Sequence, residues 1–148
     1  MVKEIGILKE PYLEECLDLY IQVFNSEPWN DGWEENDARE RMTVIFSNPR
    51  FLGIGLFDPN EKLIGFTLGH TQRWLKNQHF YLQEMCINNE FQGTGSGSLL
   101  LKQLEDYCKS NGITRIELLT ERNSMAESFY KKNGFYVSPR MAMMAKNF

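Results

Sequence analysis

Residues 92–98 read Gln-Gly-Thr-Gly-Ser-Gly-Ser, and the character of the chain changes across them. Upstream, residues 80–87 read as a strand; downstream, Leu99, Leu100, Leu101, Leu104 and Cys108 recur at helical spacing. A glycine-rich loop at such a junction presents unpaired amides at the positive end of a helix dipole, and glycine lets an anion come close to the backbone. Helix starts ordinarily gather Asp or Glu, yet residues 91–101 contain no acid, which leaves that end free for an external phosphate. A nucleoside-triphosphate loop is excluded because no lysine follows Gly97. The dinucleotide fingerprint fails too: counted from Gly93 or Gly95, its third glycine falls on Ser98 or Leu100. The bland alternative is a flexible turn that binds nothing.

The remaining composition limits what surrounds this loop. A length of 148 residues suits one domain, residues 1–148, and ten Phe, six Tyr and three Trp supply a core that excludes intrinsic disorder. No apolar run approaches the roughly 20 residues of a membrane span. The start, Met1-Val2-Lys3-Glu4, puts an acid directly after the base, so no secretory signal is expected and the cytoplasm is the expected compartment. Cys16, Cys86 and Cys108 make an odd count among apolar neighbours and read as reduced core thiols; with only His70 and His79 beside them, no metal site is expected. Residues 1–50 carry five Lys/Arg against eleven Asp/Glu, whereas residues 51–148 carry eleven against nine. An acidic chain is poorly suited to neutralising phosphate backbones, so nucleic acid is not an expected partner.

Along the chain, a short apolar start at residues 5–8 precedes Pro11, where a helix could begin, and Leu13, Cys16, Leu17, Tyr20 and Phe24 form its buried stripe. After a turn-rich loop, Asp31 with Glu34 fits a capping box for a second helix, with Ala38, Met42, Ile45 and Phe46 facing inward. Residues 51–57, a turn at 58–61 and residues 63–74 read as a hairpin. Beyond the glycine loop and its helix, Asn111-Gly112 is a helix stop, residues 113–120 a strand, and Ser124 with Glu127 the cap of a last helix closed by Asn133-Gly134. Residues 135–146 are expected to form one or two further strands. The sum is a mixed α+β layer architecture without internal repeats.

Gln92-Gly93-Thr94-Gly95-Ser96-Gly97 resembles the Q/R-x-x-G-x-G/A loop of the GCN5-related N-acetyltransferase (GNAT) family, which binds the pyrophosphate of acetyl-coenzyme A. Asn123, Ala126 and Tyr130, followed by Gly134-Phe135, resemble the same family's N-x-x-A-x-x-x-Y-x-x-x-G-F segment, at the expected distance beyond the loop. The likeness spans nearly the whole chain. It implies an acyl-CoA N-acyltransferase fold: a twisted, mostly antiparallel sheet of about six to seven strands flanked by about four helices. Two departures remove positive charge: Gln92 stands for the commoner Arg, and Thr94 stands where many members carry a base.

Acetyl transfer from a thioester to an amine needs a base for the amine, a polarised carbonyl and a proton for the departing thiolate. Alternation from residue 80 places Phe80, Leu82, Glu84 and Cys86 on one strand face, where desolvation raises a carboxyl toward a useful base. The competing reading of Glu84 is a buried glutamate satisfied by the backbone or by a basic side chain. Glutamate here is similar to the base proposed in many family members. Tyr130, a core tyrosine on packing grounds alone, becomes by resemblance the proton donor to the thiolate; its reference pKa near 10 exceeds the thiol's of about 8.5. Asn123 approaches the coenzyme by the same likeness, though it is also an ordinary turn residue. The backbone of Met85, Cys86 and Ile87 should run beside the pantetheine arm, one amide polarising the carbonyl. With no histidine near it in sequence, Cys86 reads as packing, which favours direct transfer in a ternary complex. The pyrophosphate falls to Gln92, Gly93, Thr94, Gly95, Ser96, Gly97 and Ser98.

Glu27, Trp29 and Trp33 combine acid and indole in one loop, a composition that suits a protonated amine. The expected activity is acetylation of a primary amine on a small cationic molecule. The alternatives are a peptide N-terminus or protein lysine as acceptor, or a non-catalytic coenzyme-binding module; a homodimer is left open.

Overall fold

The computed structural model describes residues 4–148; the Met1–Lys3 start lies outside the described residues. β1 (Glu4–Leu8) leads through a 3-10 turn at Glu10–Tyr12 into α1 (Leu13–Phe24) and α2 (Glu35–Ser47). β2 (Phe51–Phe57), β3 (Leu63–Trp74) and β4 (Asn77–Ile87) follow, then α3 (Ser96–Ser110), β5 (Ile113–Leu118) and α4 (Met125–Lys132). The five strands lie in the order of the chain; β1 to β4 are antiparallel, and β4–β5 is parallel. That switch follows from chemistry: a parallel neighbour needs a crossover, which α3 provides.

Each face of the sheet carries its own core. On one face, Cys16, Leu17, Tyr20 and Val23 of α1 and Ala38, Met42 and Ile45 of α2 pack on Leu8, Leu63, Phe66, Leu68 and Cys86. On the other, Leu100, Leu101, Leu104 and Cys108 of α3 meet Leu52, Ile54, Leu56, Ile64, Phe80 and Leu82, with Phe129 and Tyr130 of α4 at the margin. Leu52, Ile54 and Leu56 alternate with Gly53 and Gly55, whose bare Cα positions make room for Leu8 on the opposite face. Cys16, Cys86 and Cys108 are free and buried, as packing thiols should be. Among the described residues no helix is long and apolar enough to cross a membrane. None of their His, Cys, Asp and Glu side chains gather in a group of three or more that could hold a metal ion.

Three expectations need correction. The sheet has five strands among the described residues rather than six to seven, because residues 135–148 form no ladder. Pro139 has no N–H to donate, Ser138 Oγ accepts from the backbone N–H of Arg140 and Met141, and the segment is tied to β5 by a side chain, Arg115 to the Tyr136 hydroxyl at 2.9 Å. Second, Asp31 and Glu34 form no capping box: Glu34 is the N-cap of α2 and makes no side-chain cap bond. Asp31 instead accepts from Trp33 Nε1 at 3.2 Å. Third, the alternation along β4 breaks. Leu68 opposes Glu84 but Gly69 opposes Leu82, so Gln83 is an extra residue in the ladder, a β-bulge. Phe80 and Leu82 therefore face α3, whereas Cys86 faces α1 and α2. Glu84 parts company with Phe80 and Leu82.

Candidate active site

The bulge at Gln83 coincides with the parting of two strands. β4 and β5 pair only as far as Leu82 and Leu118, while β3 stays beside β4 up to Ile87. From residue 83 to 87 the outer edge of β4 has no strand partner among the described residues, and its backbone polar groups line a gap. Met85, Cys86 and Ile87 thus lie on an open edge. The Ile87 carbonyl accepts from Gln92 Nε2 at 3.0 Å, and that amide also reaches Asn89 Oδ1 at 3.0 Å. Gln92 is thereby a brace for the loop.

The glycine loop sits directly beyond this gap. Gly93 and Gly95 have φ of +74° and +83°, the left-handed region that glycine adopts without strain, and a Cβ on either would meet nothing within 4 Å. Gly95 is the N-cap of α3, and no acid occupies the first turn. The backbone N–H groups of Gly93, Gly95, Gly97 and Ser98 find no protein acceptor among the described residues. Thr94 Oγ1 bonds the Phe91 carbonyl and lies 2.7 Å from Ser96 Oγ, so both hydroxyls help shape the turn. Gly97 is different. A Cβ there would lie 3.0 Å from the Phe129 ring, so this glycine serves the close approach of α3 and α4.

Glu84 and Tyr130 reach the open edge from opposite sides. Glu84 points toward α1 and α2, where Oε1 accepts from Arg41 Nε at 2.7 Å and from the Tyr20 hydroxyl at 3.3 Å, and Arg41 Nη2 lies 2.6 Å away. Burial pushes its carboxyl above the ordinary glutamate range, against the opposing pull of Arg41 and Tyr20. Tyr130 lies on the α3 side, between Phe129 and Phe135 at 5.3 and 5.4 Å, and its hydroxyl contacts Met85 Sδ at 3.7 Å. Burial, followed by the Glu84 charge, pushes the phenol up to about 12. Burial also raises the Cys86 thiol well above its usual value, which keeps it protonated and non-nucleophilic.

Asn123 is exposed at the entrance to α4 with φ of +60°, and its N–H is taken by the Glu127 carboxylate. Ser124 caps α4 through Glu127 N at 3.1 Å, as expected. On the acceptor side, Trp33 packs edge-on against Tyr20 at 5.4 Å and is pinned by Asn25, which bonds both its N–H and its carbonyl. Trp29 packs on Phe24 at 5.6 Å, one ring further out. Glu27 is exposed and bonds to none of these residues. Trp33 therefore adjoins the Glu84 cluster through Tyr20, whereas Glu27 is not brought to it.

Sequence reasoning missed Arg41, Tyr20 and Asn89 as members of this neighbourhood. A signal existed for Arg41: it lies three residues after Ala38 and four before Ile45, on the stripe that buries α2. Asn89 carried none; its Nδ2 bonds Ser26 Oγ at 3.1 Å and so joins the acceptor loop to the segment bearing Gln92.

Residues 13–135 match the Acetyltransferase (GNAT) family, and the chain belongs to that family. It is 28% identical over 111 residues to an uncharacterized N-acetyltransferase, ycf52, of Pyropia yezoensis, covering 73% of this chain and 60% of the relative's length. Its fold is that of a possible acetyltransferase from Clostridium difficile 630, with a TM-score of 0.83, 12% identity, and 100% and 99% of the two chains covered. It is also that of AAC(6')-Iy, solved with the bisubstrate analog CoA-S-monomethyl-acetylneamine, with a TM-score of 0.75, 14% identity and full coverage of both chains. An acetyltransferase fold is therefore what this cleft is built into.

Proposed function

We propose that the protein transfers the acetyl group of acetyl-coenzyme A to the primary amine of a small molecule by direct attack in a ternary complex. The observation that carries this reading is the meeting, at the unpaired edge of β4, of a partly buried carboxylate from one side and a partly buried phenol from the other, next to a loop whose Gly93, Gly95, Gly97 and Ser98 amides find no protein acceptor among the described residues. The residues fit the coenzyme on structural grounds: Gly93 and Gly95 leave open space where a side chain would intrude, and α3 begins without an acid.

Bound acetyl-coenzyme A supplies an activated thioester. The amides of the glycine loop would hold its pyrophosphate, and the backbone of Met85, Cys86 and Ile87, on the strand edge that β5 leaves unpaired, would align the arm and offer an N–H to the carbonyl. Glu84 takes the proton of the acceptor amine, directly or through water. Tyr130 keeps its proton at neutral pH and hydrogen-bonds the departing sulfur as its bond to the acetyl carbon breaks. Because the phenol is the weaker acid it steadies the thiolate chiefly through that bond, and any proton it passes on is replaced by the one Glu84 has taken from the amine. Trp33, Trp29 and the acids of their loop hold a second, cationic group of the acceptor, since the reacting amine must reach Glu84 neutral. The neighbour carrying a coenzyme A–acetylneamine conjugate supports a small-molecule amine in the same kind of cleft.

The test is acetyl transfer from acetyl-coenzyme A across a panel of amines, with Glu84→Gln and Tyr130→Phe alongside. Each substitution is expected to lower kcat on the order of 100-fold, the scale of a lost proton-transfer group, with coenzyme binding retained. Coenzyme binding without transfer to any small amine, protein lysine or peptide N-terminus would favour a non-catalytic module instead.

A further inference from the structure

Glu84 is held through one of its two oxygens. Arg41 Nε and Nη2, at 2.7 and 2.6 Å, and the Tyr20 hydroxyl, at 3.3 Å, all converge on Oε1. Oε2 meets no donor among the described residues. Nor is it sealed in: the orphaned buried side-chain oxygen of the described residues is Thr67 Oγ1, and the Glu84 side chain keeps 11% of its surface exposed. A buried carboxylate ordinarily has both oxygens satisfied, because each unmet one costs free energy. Here α1 and α2 supply every partner of one oxygen and leave the other open.

Resting on the assignment of Glu84 as base, we propose that Arg41 and Tyr20 are positioning residues, which clamp Oε1 so that the open Oε2 is the atom that receives the proton of the acceptor amine. The fork of the guanidinium fixes the carboxylate in space, which a point charge could not do. Arg41 also keeps the base ionised in a site where burial works against ionisation. The other titratable groups facing Glu84 are Tyr20 on α1, Asp31 on the acceptor loop, Cys86 on β4 itself and Tyr130 on α4. Tyr20, Cys86 and Tyr130 are all raised by burial and stay neutral at physiological pH, and Asp31 pushes the Glu84 carboxyl upward. Arg41 is the cation that opposes burial and Asp31, and the Tyr20 hydrogen bond acts in the same direction as Arg41.

The test follows Glu84 by carboxyl carbon NMR in glutamate-labelled protein, its resonance assigned through Glu84→Gln, in parallel with the pH profile of kcat/KM. Arg41→Gln should raise the Glu84 midpoint and the acid limb together by about 1 pH unit or more. Arg41→Lys should bring the midpoint back toward wild type, since the charge returns, while kcat stays several-fold low because the fork does not. Tyr20→Phe should lower kcat with the KM for the amine little changed. If Arg41→Gln does not fold, the split between a restored midpoint and an unrestored kcat in Arg41→Lys decides the matter. Transfer undiminished by Glu84→Gln would sink the base assignment. An essential Glu84 whose midpoint and acid limb ignore Arg41→Gln, or a fully active Arg41→Lys, would sink the positioning role alone.

Discussion

At Glu84 two forces oppose each other: burial favours the neutral acid, while a guanidinium against Oε1 favours the anion. Burial has the larger effect, so the carboxyl titrates above the ordinary glutamate range, and a base active only when ionised loses activity as pH falls through that raised value. Tyr130, held near 12, stays protonated through neutral and mildly alkaline pH, so an alkaline limb below pH 10 would have another origin. The glycine loop permits a cleaner residue-scale comparison. Asn and Asp tolerate left-handed backbone about equally, so Gly95→Asn and Gly95→Asp share the strain of φ +83° and differ in charge. Calorimetric titration with coenzyme A should show the Asp variant binding about tenfold or more weakly than the Asn variant, the scale of a charge at a helix N-terminus. Equal affinities would remove the loop from the site. Gly97 is unsuited to this comparison, because the Phe129 ring fills the space beside it.

At the scale of elements, the chain was legible wherever periodicity and capping agreed. The apolar stripes of α1, α2 and α3, the turn at residues 58–61, the Ser124 cap and the glycine stops at Gly112 and Gly134 all appear where the pattern places them. What the pattern could not show is a change of phase. One extra residue at Gln83 turns the later part of β4 over, so Glu84 faces α1 and α2 rather than the α3 side occupied by Phe80 and Leu82. Arg41 was hidden for a related reason: long cationic side chains usually end in water, and only the fold reveals a carboxylate within reach. Residues 135–148 have apolar residues suited to a strand, but Pro139 and the Ser138 turn interrupt them. The bulge makes its own demand across the ladder at Gly69, where a Cβ would run into the Tyr81 carbonyl and come within 2.7 Å of the Phe80 ring. Gly69→Ala should cost about 3 kcal/mol in denaturant unfolding. Near-wild-type stability would mean that β3 and β4 are not in this register.

Across the whole molecule, three features meet at one place. The ladder switches from antiparallel to parallel, β4 and β5 part beyond Leu82 and Leu118, and at the start of α3 the amides of Gly97 and Ser98 find no protein acceptor among the described residues. A long cofactor with an anionic end and a reactive end fits that arrangement: anion at the helix start, reactive group at the open strand edge between Glu84 and Tyr130. Two-dimensional amide NMR of the labelled protein, titrated with coenzyme A, tests this most directly. The largest shifts are expected on the amides of Gly93, Gly95, Gly97 and Ser98 and on those of Met85, Cys86 and Ile87. Saturable binding whose shifts cluster elsewhere, with both of these groups unmoved, would contradict it.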